Sequence, residues 1–313
     1  MKIYATYNIK GGVGKTTAAV NLAYLSAAAG RRTLLWDLDP QGAASFIFRI
    51  KPRVKGGGKA LIRGTRTLDD AIKGTDFDDL DLVPADFTYR NMDLLLGGAE
   101  KKAVRQLAQL LEPLGADYDH VFLDCPPSIS LVSENVIHAA DVLLVPLIPT
   151  TLSVRTLDQL TEFVGGFDGR RPDVRAFFSM VDRRKKLHVQ ITQDLRAERA
   201  GLIASAIPSL SLIERMSTER APVTAFAPRS VAARAYQDLW SEISRIPVLD
   251  IRDILMAGGG GHGYGENAHR NRRRGPGYRC RGTRHQDQEG HGQCRAAGNW
   301  CADRAPACAG PAR

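Results

Sequence analysis

Apolar residues fall in short runs separated by longer mixed stretches, the pattern of strands alternating with helices. Residues 2–8 read as a short strand followed by a Gly-rich turn. Residues 15–29 read as a helix, with Val20, Leu22, Ala23 and Leu25 supplying apolar surface and Gly30 ending it. Residues 32–38 form the next strand. Its apolar centre, Leu34-Leu35-Trp36, suits a strand buried on both faces, as strands of parallel sheets are. Later strands are expected at 80–83, 120–123, 142–147, 174–180 and 202–207, with helical stretches between most of them. Alternation of this kind predicts an α/β fold, a doubly wound and mostly parallel sheet with helices on both faces. Residues 49–66 are basic and contain Gly56-Gly57-Gly58, so a loop insertion is expected there. Residues 221–255 supply closing helices, and neither an internal repeat nor a second globular domain is apparent.

Composition changes the picture at the C-terminal end. After Met256 the chain contains no Leu, Ile, Val, Phe or Met, while 13 of its last 57 residues are Gly. Such a segment cannot bury enough apolar surface to offset the entropy of ordering it. The expected organisation is therefore a folded domain over 1–256 and a disordered Gly/Arg-rich tail over 257–313. Four of the five cysteines, Cys280, Cys294, Cys301 and Cys308, lie in the tail. They lack the C-x-x-C pairing of a zinc site, although His285 and His291 stand among them. The abrupt loss of aliphatic residues also suits an out-of-frame extension.

Charge follows the same division. The net charge is +9, and the tail, with ten Arg, no Lys and four acids, carries +6 of it. The body is nearly balanced, so overall charge says little about nucleic acid. No run of 18 apolar residues marks a transmembrane helix, and residues 1–8 lack a signal peptide's apolar region, so a cytoplasmic location is expected.

The candidate chemistry centres on Lys10-Gly11-Gly12-Val13-Gly14-Lys15-Thr16-Thr17, between the first strand and the first helix. Glycines let backbone N–H groups face one anion, and the following helix adds a partial positive charge at its N-terminus. Lys15 is placed to reach the β- and γ-phosphates of a nucleotide, and the Thr16 hydroxyl to ligate Mg²⁺. A Gly-rich turn without a ligand is the alternative, disfavoured by Gly-Lys-Thr in this context. The common phosphate-loop pattern would put Gly at position 9, where this chain has Ile9, and there is an extra lysine, Lys10.

This K-G-G-x-G-K-T-T run resembles the deviant Walker A signature of the ParA/MinD family of P-loop ATPases, and small Soj-like ParA proteins in particular. Asp37-Leu38-Asp39-Pro40-Gln41-Gly42 resembles the family's D-x-D-P-Q-G motif, and Val121-Phe122-Leu123-Asp124-Cys125-Pro126-Pro127-Ser128 its Walker B segment. The resemblance implies ATP and Mg²⁺ as cofactors and ATP hydrolysis as the reaction. It implies that Lys10 reaches the partner's nucleotide in an ATP-sandwich homodimer, that Asp39 orients the attacking water near Mg²⁺, and that Asp124 holds Mg²⁺, through water. Asp37 is read as capping the strand end and Cys125 as a packing residue. The similarity continues more weakly to about Ile246, through Ser179-Met180-Val181-Asp182-Arg183, Ile207-Pro208, Pro222-Val223 and Ala235-Tyr236. It implies that the loop near Pro208 borders the adenine. Ala43, Thr150-Thr151 and the Arg183-Arg184-Lys185-Lys186 cluster depart from the usual partition sequence, which puts the cargo in doubt.

Two classes of function follow from the resemblance. In a ParA-like positioning ATPase, the ATP-bound dimer binds DNA nonspecifically, and a ParB-like or cargo-adaptor partner stimulates hydrolysis, giving a nucleoid-associated protein that segregates a chromosome, plasmid or organelle. In a MinD-like ATPase, a C-terminal basic amphipathic helix binds membrane. Residues 246–256 contain Asp250 and Asp253 against one Arg252, a poor membrane face, so DNA is favoured and no membrane partner is expected. A cluster-bridged reductase ATPase needs cysteines, and the body has only Cys125. The candidate DNA contacts are Arg183, Arg184, Lys185, Lys186, Arg215 and Arg220, with Arg229 nearby in sequence; a solvated charged loop is the alternative.

Overall fold

A computed structural model describes residues 1–97, 103–167, 169–199 and 201–245. The expected tail, its four cysteines and the end of the closing helical region lie outside the described residues.

Eight strands form one sheet in the order β3-β4-β2-β5-β1-β6-β7-β8. They are β1 (Lys2–Thr6), β2 (Thr33–Asp37), β3 (Lys73–Gly74), β4 (Leu80–Val83), β5 (His120–Asp124), β6 (Val142–Leu147), β7 (Asp173–Val181) and β8 (Leu202–Pro208). All pairings are parallel except that of β3 with β4. The doubly wound architecture is thus present, and seven strands lie where apolar runs predict them. The two-residue β3 is exposed and carries no apolar signal.

The strands read as continuous apolar runs because successive side chains enter different cores. Tyr4, Leu35, Phe122 and Leu144 pack on one side with α1 (Lys15–Ala28), α2 (Ala43–Ile47) and α12 (Val231–Ile243). Ala5, Leu34, Trp36, Val121, Leu123 and Leu143 point the other way. There they meet α4 (Met92–Gly97), α5 (Gln106–Leu111), α6 (Leu131–Ala139) and α7 (Thr151–Gly165). Helix α1 shows little amphipathic contrast because most of it is buried, with Ala18, Ala19, Leu22 and Ala23 letting it approach the sheet closely. It ends at Ala28, and Gly30 takes φ +74°, a backbone state that glycine adopts without steric cost. Helix α8 (Lys186–Glu198) and the short α9 (Ser211–Glu214), α10 (Met216–Glu219) and α11 (Val223–Phe226) complete the described body.

Residues 49–66 correct the expectation of a loop insertion. They contain a short helix, α3 (Gly57–Ile62), and two buried anchors, Val54 and Leu61. The Val54 N–H donates to Asp86 Oδ2 at 2.8 Å, and the Gly58 N–H donates to Thr88 Oγ1 at 2.8 Å. Three glycines conceal the helix from propensity reasoning, whereas long-range packing holds it. Gly58 itself is required by closeness, since a Cβ there would stand 2.9 Å from the Tyr89 ring.

Candidate functional site

The carboxyl ends of β1, β2 and β5 meet in register. Thr6 is the neighbour of Asp124 across β1 and β5, and Asp37 is its neighbour across β2 and β5. Order is set here by hydrogen bonds between the segments that leave the sheet. The Leu38 N–H donates to Asp124 O at 2.9 Å, and the Cys125 N–H donates to Thr6 O at 3.3 Å. The chain after β1 therefore starts its turn at the edge where the two acidic strands end, the ligand-binding edge of an open parallel sheet.

That turn is the Gly-rich loop. The Asn8 side chain anchors it, donating from Nδ2 to Pro146 O at 2.9 Å and accepting at Oδ1 from the Lys10 N–H at 2.9 Å. Gly12 and Gly14 have φ of +70° and +93°. Gly14 is the N-cap of α1, and a Cβ on it would lie 2.7 Å from Ser179 Oγ, so both the φ and the neighbour from β7 demand glycine. Val13 is buried beneath the loop, while Gly11 and Gly12 are exposed and Gly11 lies near Pro127. Lys10 is half-buried at the loop's start.

Lys15 is buried, and its Nζ donates to Lys10 O at 3.0 Å across the loop. Burial lowers its pKa, and the negative side chain of Asp124 is the first of the charges that oppose this. Thr16 and Thr17 follow on the first turn of α1, with Thr17 Oγ1 donating to Gly14 O at 3.0 Å. The free N–H groups and dipole of this 14-residue helix face the same edge.

Two acids beside the loop are deeply buried. Asp37 Oδ2 accepts from the Ser45 N–H at 2.8 Å and from Ser45 Oγ at 2.7 Å, which fixes the start of α2. Ser45 Oγ also accepts from the Ala85 N–H at 2.9 Å. Burial pushes the Asp37 pKa up to about 6. Its other oxygen, and both oxygens of Asp124, are buried without a protein hydrogen bond of ordinary geometry. Burial raises the Asp124 pKa well above the carboxylate range, and repulsion from Asp37 adds to this; Thr16 and Lys15 pull it back. Unpartnered buried carboxylate oxygens beside a hydroxyl and phosphate-facing N–H groups fit a hard divalent cation, which takes oxygen ligands. The donor set is thus compatible with Mg²⁺. Asp39 is half-buried at the head of the adjacent loop, where Oδ1 accepts from the Gln41 N–H at 2.9 Å.

The thiol of Cys125 is buried, and burial drives its pKa well up, in keeping with a packing residue and not a nucleophile. Asp37 does more than end its strand, because it ties α2 and, through Ser45, the end of β4 to the site.

Pro208 ends β8 and lines a small cavity of about 60 Å³ together with Thr17, Ser179, Leu210 and Tyr236. It therefore lies at the flank of the phosphate loop, sharing this cavity with Thr17 and Ser179. Ser179 and Tyr236 belong to segments that resemble the family, but the sequence assigns them no role, because their place at the site arises only when β7 and α12 pack against α1.

The basic residues do not form one patch. Arg183 and Arg184 line a groove of about 860 Å³ with Arg196, Arg234 and Pro208. Arg184 is already committed to a bidentate pair with Asp182, at 3.0 and 3.1 Å, which pulls the Asp182 pKa down to about 2. Lys185 and Lys186 are exposed at the start of α8. Arg215 pairs with Glu219. Arg220 lines a different cavity with Phe46 and Arg49, donates from Nε to Phe46 O at 3.0 Å, and covers the Phe46 ring at 4.6 Å. It has φ +50° and pins α10 against α2, so its side chain is engaged within the fold. Among the described residues no helix is long and apolar enough to cross a membrane. Residues 246–256, on which the membrane alternative turned, lie outside the described residues.

Comparison with known proteins adds to this geometry. The family model AAA_31, an AAA domain, matches residues 1–174. The chain is 32% identical over 251 residues to the chromosome partitioning protein ParA of Caulobacter vibrioides, covering 78% of this chain and 94% of that protein. It is 31% identical over 249 residues to the sporulation initiation inhibitor protein Soj of Bacillus subtilis, covering 78% and 98%. The crystal structure of cobyrinic acid a,c-diamide synthase from Mycobacterium smegmatis, with bound ATP analogue and magnesium, superposes with a TM-score of 0.66 at 26% identity, over 78% of this chain and 95% of that one.

Proposed function

The chain belongs to the ParA/MinD family of P-loop ATPases, and from that premise we propose that it hydrolyses ATP with Mg²⁺ to position or segregate a DNA-linked cargo. One observation carries this reading. A buried lysine at the start of α1 lies within electrostatic reach of a buried acid whose two oxygens make no protein hydrogen bond of ordinary geometry.

The residues divide the work as follows. Backbone N–H groups of the loop and of the first turn of α1 bind the phosphates, and Lys15 turns from Lys10 O to the β- and γ-phosphates. Thr16, Asp39 and Asp124 would hold Mg²⁺, which when bound would neutralise charge developing on the phosphate oxygens. Asp39 accepts a hydrogen bond from the attacking water and orients it. Pro208 borders the adenine. Lys10 stands at the exposed mouth of the loop, suited to reach the nucleotide of a second copy in a sandwich dimer. The relative named as a chromosome partitioning protein supports a partition role; the resemblance to the family adds DNA as the surface on which the ATP-bound dimer acts and a partner that stimulates turnover. The ATPase domain is taken to span 1–256, with 257–313 as an appended tail.

ATP-dependent sedimentation with duplex DNA tests the reading, alongside Mg²⁺-dependent phosphate release. Slow hydrolysis and ATP-dependent dimerisation are expected, the latter lost in Lys10→Ala. Absence of hydrolysis in the presence of Mg²⁺ would overturn the ATPase assignment. A dimer that forms equally well in Lys10→Ala would overturn the role of that lysine.

A further inference from the structure

Between Gln41 and Leu68 the chain carries seven cations and no carboxylate. Arg49 pairs with Asp76, and Arg66 pairs with Asp70. Lys51, Arg53, Lys55, Lys59 and Arg63 are exposed and make no ion pair among the described residues. The nucleotide site uses none of the five.

The backbone beneath these cations is held in place. Val54 and Leu61 are buried, and the N–H groups of Val54 and Gly58 are bound by Asp86 and Thr88. Ile50 and Ile62 pack against the two cores. The apolar side chains thus turn inward, leaving cations, glycine, threonine and Pro52 outward. Protein partners are ordinarily anchored by aromatic or aliphatic side chains at the centre of a patch. Within 51–63 no Leu, Ile, Val, Met or aromatic side chain is exposed; the exposed rings at the borders, Phe46 in the cavity beside Lys51 and Pro52 and Phe87, carry Arg220 and Arg90 on their faces. A fixed array of unpaired cations without an apolar anchor matches the repeating charge of a sugar–phosphate backbone.

The segment that carries the array also packs on the loop that follows β2 and carries Asp39. Gly42, which closes the loop that begins at Asp39, packs on Pro52 so closely that a Cβ would lie 3.0 Å from Pro52 Cβ.

We propose that residues 49–66 form a platform for the backbone of duplex nucleic acid. This inference rests on the DNA reading above and assigns it a face, distinct from the Arg183–Lys186 groove. Contacts made only to phosphate carry no base information, so binding is indifferent to sequence.

The test measures fluorescence anisotropy of a mixed-sequence duplex of about 30 base pairs with the full-length protein and Mg·ATP, between about 50 and 200 mM salt. Wild type is compared with the quadruple variant Arg53→Ala/Lys55→Ala/Lys59→Ala/Arg63→Ala and with Arg183→Ala/Lys186→Ala. The tail is common to all three, so differences in salt slope report the body. Each lost phosphate contact lowers the log–log slope by about 0.9, so the quadruple variant is expected to lose about 2 to 4. Retained binding of a fluorescent ATP analogue shows that the variant is folded. If it is not folded, the single variants Lys55→Glu and Lys59→Glu replace it, each expected to lower the slope by about 0.9. An unchanged slope in the platform variants, with a reduced slope in Arg183→Ala/Lys186→Ala, overturns the platform and leaves the DNA reading standing. Failure of the wild type to bind duplex at the lowest salt overturns the DNA reading and the platform with it. Poly-glutamate bound as tightly as the duplex, and released by the same substitutions, makes an acidic protein the ligand and overturns the nucleic-acid assignment.

Discussion

Asp37 and Asp124 are register partners at the carboxyl ends of β2 and β5, and neither side chain is exposed to solvent. Asp37 has Ser45 to satisfy one oxygen, whereas Asp124 has no protein hydrogen bond of ordinary geometry on either. Two buried acids on adjacent strands repel each other and lose hydration, so the fold is destabilised at the place proposed to hold a cation. Function and stability are opposed at this pair.

Asp124→Asn should therefore stabilise the protein while abolishing Mg²⁺-dependent turnover. The expected gain in the absence of nucleotide is about 1–2 kcal/mol. For a body of this size that corresponds to a rise of roughly 2–8 °C in Tm. Thermal unfolding without nucleotide, paired with phosphate release, checks it. A lower Tm would show that burying the acid costs the fold little.

Lys15 and Asp39 should separate by kinetic signature. Lys15→Ala removes the buried cation proposed to bind the phosphates and should weaken ATP binding at least about tenfold, a loss of roughly 1.4 kcal/mol or more. Asp39→Ala should keep ATP affinity within about threefold and lower kcat by about a hundredfold, the scale of a lost general-base contact. Nucleotide titration and single-turnover hydrolysis distinguish the two. Equal loss of affinity in both variants would mean that Asp39 serves binding and not the chemical step.

Gly14→Ala tests the approach of β7 to the phosphate loop. The new Cβ would meet Ser179 Oγ at 2.7 Å with φ at +93°. The two strains together should destabilise the protein by about 2–3 kcal/mol. Ser179→Ala in the same protein removes the nearest atom but not the φ strain, so it should restore about half of the loss. Denaturant midpoints of the two single variants and the double variant provide the cycle. Additive losses would place the cost in the backbone alone.

His120 should make the protein acid-sensitive. The ring is half-buried, with Nδ1 2.7 Å from Ser26 Oγ and Trp240 edge-on at 5.7 Å. Burial holds its pKa down to about 4; Arg31, Lys2 and the N-terminus act in the same direction, and Asp119 opposes them. The ordinary value is 6.5, so the unfolded chain binds more protons between these limits. The contribution is complete above about pH 6.5 and is lost as the pH falls towards 4. The full shift corresponds to about 3 kcal/mol, reduced to roughly 1–2 by the solvent that reaches the ring. Urea midpoints at pH 7 and pH 5 should fall more for wild type than for His120→Gln. Equal falls would place the acid sensitivity elsewhere.

What the sequence determined by itself was local. Apolar runs located seven strands because the central strands are buried on two faces and carry their signal in consecutive residues, while the half-buried edge strand β8 still keeps an apolar run. The loop from Lys10 to Thr17 was legible because tight turns, helix starts and phosphate contacts demand particular residue types at fixed spacing. The two-residue β3 has no apolar run to reveal it, and α3 was hidden by Gly57 and Gly58, whose closeness to Thr88 and Tyr89 exists only after folding. Tertiary structure alone decided which distant residues share the site. Strand order put Asp37 beside Asp124, β7 brought Ser179 against Gly14, and Asn21 bridged Thr17 O to the Thr224 N–H from within α1. It also divided the basic residues, committing Arg220 to Phe46 and leaving the cations of 51–63 exposed. Periodicity and turn chemistry report which way a side chain faces along its own element. They carry no record of which element will lie next to it, and that is fixed by the packing of the whole sheet and its helices.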